Sequence, residues 1–83
     1  MDRNLHRREQ LALLELLREL RVAAGLRQQD LAQRLGQPQS FVSKFESGER
    51  RLGLLEVRQI CGALGLSLSE FAEQYEARLR EVP

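Results

Sequence analysis

The stretch that most restricts what this chain can fold into is Leu35-Gly36-Gln37-Pro38, because no helix runs through it undisturbed. Glycine favours a left-handed cap, and proline removes a backbone donor and blocks the preceding turn. Before the break lies a short helical pattern, Gln28 to Leu35, with Leu31, Ala32 and Leu35 on one face. After it lies another, Gln39 to Glu46, in which Val42 and Phe45 face inward while Gln39, Ser40, Ser43 and Lys44 face outward. Two helices joined by a tight glycine turn form a helix-turn-helix, whose second helix is shaped to enter a DNA major groove. The remaining chain has to supply the partners that bury these two short helices.

Those partners are legible as further helices, because Leu, Ala, Glu, Gln and Arg dominate and all favour helix. A first helix is expected over residues 5–24, opened by Asn4 as N-cap and closed by Gly25 with Leu26 as its hydrophobic contact. Its core stripe reads Leu13, Leu16, Leu17, Leu20 and Ala24. Leu11, Leu14 and Val22 fall on nearly the opposite side, which asks for a second neighbour. The two central helices are expected over 28–35 and 39–46, and Pro38 pre-sets the first turn of the latter. After the polar loop Ser47-Gly48-Glu49-Arg50-Arg51, a fourth helix over 54–64 should bury Leu54 or Leu55, Val57, Ile60, Cys61 and Leu64. Gly62 inside it costs roughly 1 kcal/mol relative to Ala, which points to a close helix approach there. Ser67-x-x-Glu70 is a capping box that opens a fifth helix over 68–81, with Leu68, Phe71, Ala72, Tyr75, Leu79 and Val82 in one stripe. The expected fold class is all-α: one domain over residues 1–83, a five-helix bundle with extended first and last helices.

Composition narrows function. Cys61 is the only cysteine, so neither an intramolecular disulfide nor a thiolate zinc cage can form, which fits a reducing cytoplasm. His6 stands without a metal-spaced cluster, and there is no Ser-His-Asp set and no glycine-rich phosphate loop. The expectation is a non-enzyme without metal, cofactor or evident small-molecule ligand. No apolar run approaches the ~20 residues that span a bilayer, and the first ten residues lack the apolar segment of a secretory signal. Net charge is only +1, yet residues 21–51 hold six basic side chains against three acidic ones, and residues 66–83 hold two against four. The local positive excess is a modest footprint for phosphate binding.

From Leu13 to about Phe71 the sequence resembles the helix-turn-helix domains of the phage repressor and Cro type, the XRE family. The resemblance rests on Arg21, Gly25-Leu26, Gln28-x-x-Leu31-Ala32, Leu35-Gly36, Ser40-x-Val42-Ser43-Lys44-x-Glu46-x-Gly48 and the Ile60…Ala63-Leu64-Gly65 ending. The run Pro38-Gln39-Ser40-Phe41-Val42-Ser43-Lys44 looks like the small stand-alone bacterial regulators of that family. Two departures stand out: Arg27 replaces a capping Ser or Thr, and Gly53 a capping Asp, and both should weaken a helix start.

The resemblance implies a transcriptional regulator, a repressor on double-stranded DNA, and it agrees with the helix geometry on the readout face. Gln39, Ser40, Ser43 and Lys44 are the expected base-reading set, since Gln pairs with adenine and Lys with guanine. Gln28 opens a helix whose free N–H groups favour phosphate, and in the family this Gln anchors the DNA backbone. Arg50 and Arg51 read as phosphate clamps, with Arg27 and Ser47 as further candidates. Arg21 and Glu46 occupy positions that form a structural ion pair in the family. Family members generally act as dimers on two half-sites about one turn, ~34 Å, apart. A homodimer is therefore expected, with Leu11, Leu14, Phe71, Tyr75 and Leu79 at or near its interface. The competing class is a protein-binding adaptor or antitoxin, motivated by low net charge and the acidic last helix.

Overall fold

A computed structural model describes the backbone of residues 3–81 and the side chains from residue 7 onward. The side chains of Asn4 and His6, and all of Val82, lie outside the described residues. Five helices follow in order: α1 (Arg3–Ala23), α2 (Gln28–Leu35), α3 (Gln39–Ser47), α4 (Leu54–Ala63) and α5 (Leu68–Glu81). The chain is an all-α bundle, and no strand occurs among the described residues.

The order of packing explains which residues go inside. α2 lies on α3 and α4, α4 lies on α5, and α1 closes the bundle by packing on both α3 and α5. The core is Leu14, Leu16, Leu17, Leu31, Ala32, Val42, Phe45, Val57, Ile60, Cys61 and Phe71. Two neighbours widen the buried face of α1 beyond a single stripe. Leu14, expected on an outer strip, is therefore 4% exposed, while Leu13 and Leu20 are only half-buried. Ala24 lies past the helix end and is exposed.

Helix starts fall where expected except at α1, and most share one way of satisfying their free donors. α1 begins at Arg3, so Asn4 sits within the helix rather than capping it. Pro38 is the extended N-cap of α3 (φ −68°, ψ 155°), and the helix starts at Gln39 as expected. At α2 the Asp30 carboxylate accepts the backbone N–H of Arg27 at 2.8 Å, and at α4 that of Glu56 accepts the N–H of Gly53 at 2.9 Å. Acids three residues past the cap thus satisfy donors at helix starts that have no Ser, Thr or Asp cap. At α5 the capping box is complete: Glu70 accepts the N–H of Ser67 at 2.8 Å, and Ser67 Oγ accepts that of Glu70 at 3.0 Å.

The break between α2 and α3 turns on Gly36, whose φ of 66° lies in the left-handed region that side-chain-bearing residues resist. α4 differs from expectation at two places. Leu54 and Leu55, one of them expected in the core, are 72% and 66% exposed, and Leu52 from the preceding loop packs against the core instead. A side chain in the first helical turn leans back past the helix end, where no neighbour covers it. Gly62 marks no close approach either: a Cβ there would meet no atom within 4 Å.

Candidate nucleic-acid interface

The outer face of α3 is held in place from behind. Arg21, 8% exposed, donates from Nε to Glu46 Oε2 at 2.7 Å and from a terminal nitrogen to Oε1 at 3.1 Å. Its other terminal nitrogen donates to the Leu26 carbonyl at 2.7 Å. This fork ties the end of α1 and the turn before α2 to the last turn of α3. Both side chains are nearly buried, 9% and 5% exposed, so each depends on the other for its charge.

Glu46 does a second job. Its Oε1 also accepts the Gln28 side-chain amide at 3.0 Å, and Gln28 Oε1 in turn lies 3.5 Å from Gln39 Nε2. The buried pair therefore extends through Gln28, at the start of α2, to Gln39, at the start of α3. Gln39 and Ser40 are exposed in the first turn of α3, Lys44 is exposed one turn on, and Ser43 is half-buried beside it. The four share one side of the helix, opposite the buried Val42 and Phe45.

Phe41 serves packing. Its ring meets Phe45 edge-on, with centroids 5.6 Å apart and planes at 68°. The Arg50 guanidinium lies over the Phe41 ring, 4.7 Å from its centroid. Arg50 also forms a bidentate pair with Glu56, at 2.8 and 3.1 Å. Glu56 thus caps α4 and holds Arg50 at once, and hydrogen bonding to that guanidinium keeps its carboxyl below the ordinary value.

The cations among the expected DNA contacts, Lys44 for a base and Arg27, Arg50 and Arg51 for phosphate, consequently separate into two groups. Arg27 is turned onto Asp30, with both carboxylate oxygens at 3.1 Å, and Arg50 is engaged as above. Lys44 and Arg51 are exposed and form no ion pair among the described residues. Ser47 is used locally: its hydroxyl donates to the Lys44 carbonyl at 3.1 Å, finishing α3 before Gly48. Glu56 and Arg34 are functional supports that the sequence reading passes over. Arg34 donates to the Ala63 carbonyl at 3.0 Å, satisfying the end of α4. The Gly53-x-x-Glu56 spacing, identical to Ser67-x-x-Glu70, is the signal that marks the first; nothing local marks the second.

The surface expected to pair two chains is largely closed within one. Leu14 and Phe71 belong to the chain's own core, at 4% and 3% exposed, and neither is available to a partner. Tyr75 stacks on Phe71 and donates its hydroxyl to the Glu9 carbonyl at 3.0 Å. Arg78 grips Glu19 at 2.6 and 3.0 Å. Of the five residues expected at a pairing surface, Leu11 and Leu79 line a shallow groove between α1 and α5, and Leu11 is 45% exposed. Cys61 is fully buried, and desolvation pushes its thiol up to about 11, so it is not a nucleophile at neutral pH. Among the described residues no helix is long and apolar enough to cross a membrane, and no three metal-ligating side chains gather.

The sequence profile of the helix-turn-helix family HTH_3 matches residues 17–71, from mid-α1 to the first turn of α5. The chain is similar to an XRE-family like protein from Pseudomonas syringae pv. tomato str. DC3000, with 44% identity, 96% of this chain and 94% of that one covered, and a TM-score of 0.85. The fold is shared with the restriction-modification controller protein C.Esp1396I at 20% identity, 88% and 95% coverage and a TM-score of 0.81. It is shared too with the clp gene regulator ClgR from C. glutamicum, at 23% identity, 84% and 90% coverage and a TM-score of 0.73. No curated protein sequence matches the chain significantly. With most of its length inside the family profile and a 44%-identical relative over nearly all of it, the chain belongs to the XRE-type helix-turn-helix family of small DNA-binding transcription regulators.

Proposed function

We propose that this regulator is a repressor that occupies an inverted-repeat operator as a homodimer, each copy laying α3 in the major groove of one half-site. The observation that carries the proposal is the tether from Arg21 through Glu46 and Gln28 to Gln39, which fixes the outward face of α3 before DNA arrives. A side chain already held in its reading geometry loses less freedom on binding, so more of each base contact is realised as affinity.

In this reading Gln39, Ser40 and Lys44 contact base edges and Ser43 contacts a base or phosphate at the groove wall. Gln28 contacts the backbone with its main-chain N–H at the α2 terminus, where the helix dipole favours an anion. Arg51 supplies a phosphate contact, while Arg27, Arg50 and Ser47 act at the same backbone chiefly by holding their loops. The protein works in the cytoplasm and needs no cofactor and no catalysis.

Selection of bound duplexes from a random pool tests this reading. The expected product is an inverted repeat whose half-site centres lie about one helical turn, ~34 Å, apart. Recovery of a single unrepeated site removes the dimer, and recovery of no enriched sequence removes specific DNA recognition.

A further inference from the structure

Arg50 is expected from the sequence to clamp a phosphate, yet its guanidinium is engaged within the protein. It pairs with both Glu56 oxygens, at 2.8 and 3.1 Å, and donates to the Arg51 carbonyl at 3.2 Å. It also lies over the Phe41 ring, 4.7 Å from the centroid, and the Arg50 backbone N–H reaches the Lys44 carbonyl at 3.1 Å. Glu56 is fixed in turn, because the same carboxylate accepts the Gly53 N–H at 2.9 Å where α4 begins. One loop side chain thus joins the first turn of α3, its last turn and the start of α4. Its partners adjoin the residues assigned to DNA: Phe41 follows Ser40, Lys44 lies on the outward face, and Arg51 is the proposed phosphate contact.

We infer that Arg50 and Glu56 are a positioning pair for DNA recognition, which holds the loop so that Arg51 and the first turn of α3 meet the duplex together. Arg50 itself touches no phosphate. The inference deepens the operator-binding reading above and rests on it. A phosphate would have to displace a carboxylate that already offers the guanidinium the same two-oxygen geometry. A guanidinium neutralised by that partner releases few counterions on binding, so it adds little to the salt dependence. What it adds is order, since a loop held before DNA arrives gives up less freedom on binding. The two side chains are 41% and 30% exposed, and an ion pair that open to water contributes little to the fold. Their purpose therefore lies in placement rather than in stability. The consequence runs against simple electrostatics: removing the negative charge of Glu56 should weaken binding to a polyanion, because it releases the loop.

The test compares E56Q, R50K, R50M and R50M/E56Q with the wild type on the selected duplex and on a scrambled one, across a salt series. Circular dichroism first confirms that each variant is folded at the temperature used; should R50M unfold, E56Q and R50K decide the matter. E56Q keeps an oxygen for the Gly53 N–H and removes only the charge. It should lose about five- to tenfold in affinity for the selected duplex, less for the scrambled one, with an unchanged salt slope. R50K should fall as far as R50M, since an ammonium makes neither the bidentate pair nor the planar stack. The double variant should fall no further than either single one, because the two residues act together. A gain in affinity by E56Q on both duplexes, with a steeper salt slope, overturns the inference and makes Arg50 a phosphate contact held back by Glu56. Wild-type binding by R50K overturns it too, as does an equal loss on both duplexes by E56Q. A wild type that prefers neither duplex overturns the operator reading itself.

Discussion

Glu46 holds three donors with one carboxylate, two from Arg21 and one from Gln28. Its replacement by Gln should strand the nearly buried Arg21 charge and cost about 3–5 kcal/mol in denaturant unfolding. The double replacement Arg21→Met with Glu46→Leu should recover most of that loss, because a buried pair exchanged for apolar volume is often neutral. DNA affinity should remain low in the double variant, since Gln28 and Gln39 lose their anchor. A loss below about 0.5 kcal/mol in Glu46→Gln would mean the pair matters little to the fold. At this scale the sequence is informative where family positions are fixed, as at Arg21 and Glu46. It is silent where a side chain chooses between partners: Arg50 stands in a polar loop like any phosphate clamp, and only the fold brings Glu56 and the Phe41 ring to it.

Among the elements, helix starts set both the accuracy of the sequence reading and its errors. Lengths follow from glycine and proline punctuation, and the limits of α2, α3 and α5 emerge within a residue of expectation. Leu54 escapes the core because periodicity describes a helix interior, whereas a first-turn residue faces whatever lies beyond the helix end. The carboxylates of Asp30, Glu56 and Glu70 are held below ordinary values, by hydrogen bonds from Arg27, from Arg50 and from the Ser67 backbone respectively. A depressed folded value contributes stability that is present above the unfolded value and lost as pH falls through the folded one. The thermal midpoint should therefore be flat near neutrality and begin to fall below about pH 4.5, the ordinary Glu value. A midpoint that rises on acidification contradicts these capping contacts. Gly62 gives a second check on α4. A methyl group added there meets no atom within 4 Å, and the residue has no left-handed φ. Gly62→Ala should therefore stabilise the protein by about 0.5–1 kcal/mol in chemical denaturation. Destabilisation would mean that α4 packs closely there after all.

For the whole molecule, two layers of contacts have separate purposes. α1 and α5 close on each other through Tyr75 and Arg78, completing a small core that the helix-turn-helix could not supply alone. The remaining outward features, the α3 face, the uncommitted Lys44 and Arg51, and the Leu54–Leu55 turn, fall on the segment from residue 39 to residue 55. The outward face of α3 is legible in the sequence because apolar residues define the opposite side of that helix. What covers α5 is not, because an amphipathic stripe says that a cover exists without saying whether the cover is in the same chain.

On the proposed function, α3 reads bases while the loop after it reads only phosphate. The direct measurement is the affinity of Lys44→Ala and Arg51→Ala for the selected duplex and its single-base variants, across a salt series. Lys44→Ala should cost about 1–3 kcal/mol and abolish preference at one base position. Arg51→Ala should weaken every duplex alike and reduce the salt slope by about one. Equal losses from both variants on every sequence would contradict the division of labour, and with it the assignment of α3 as the reading helix.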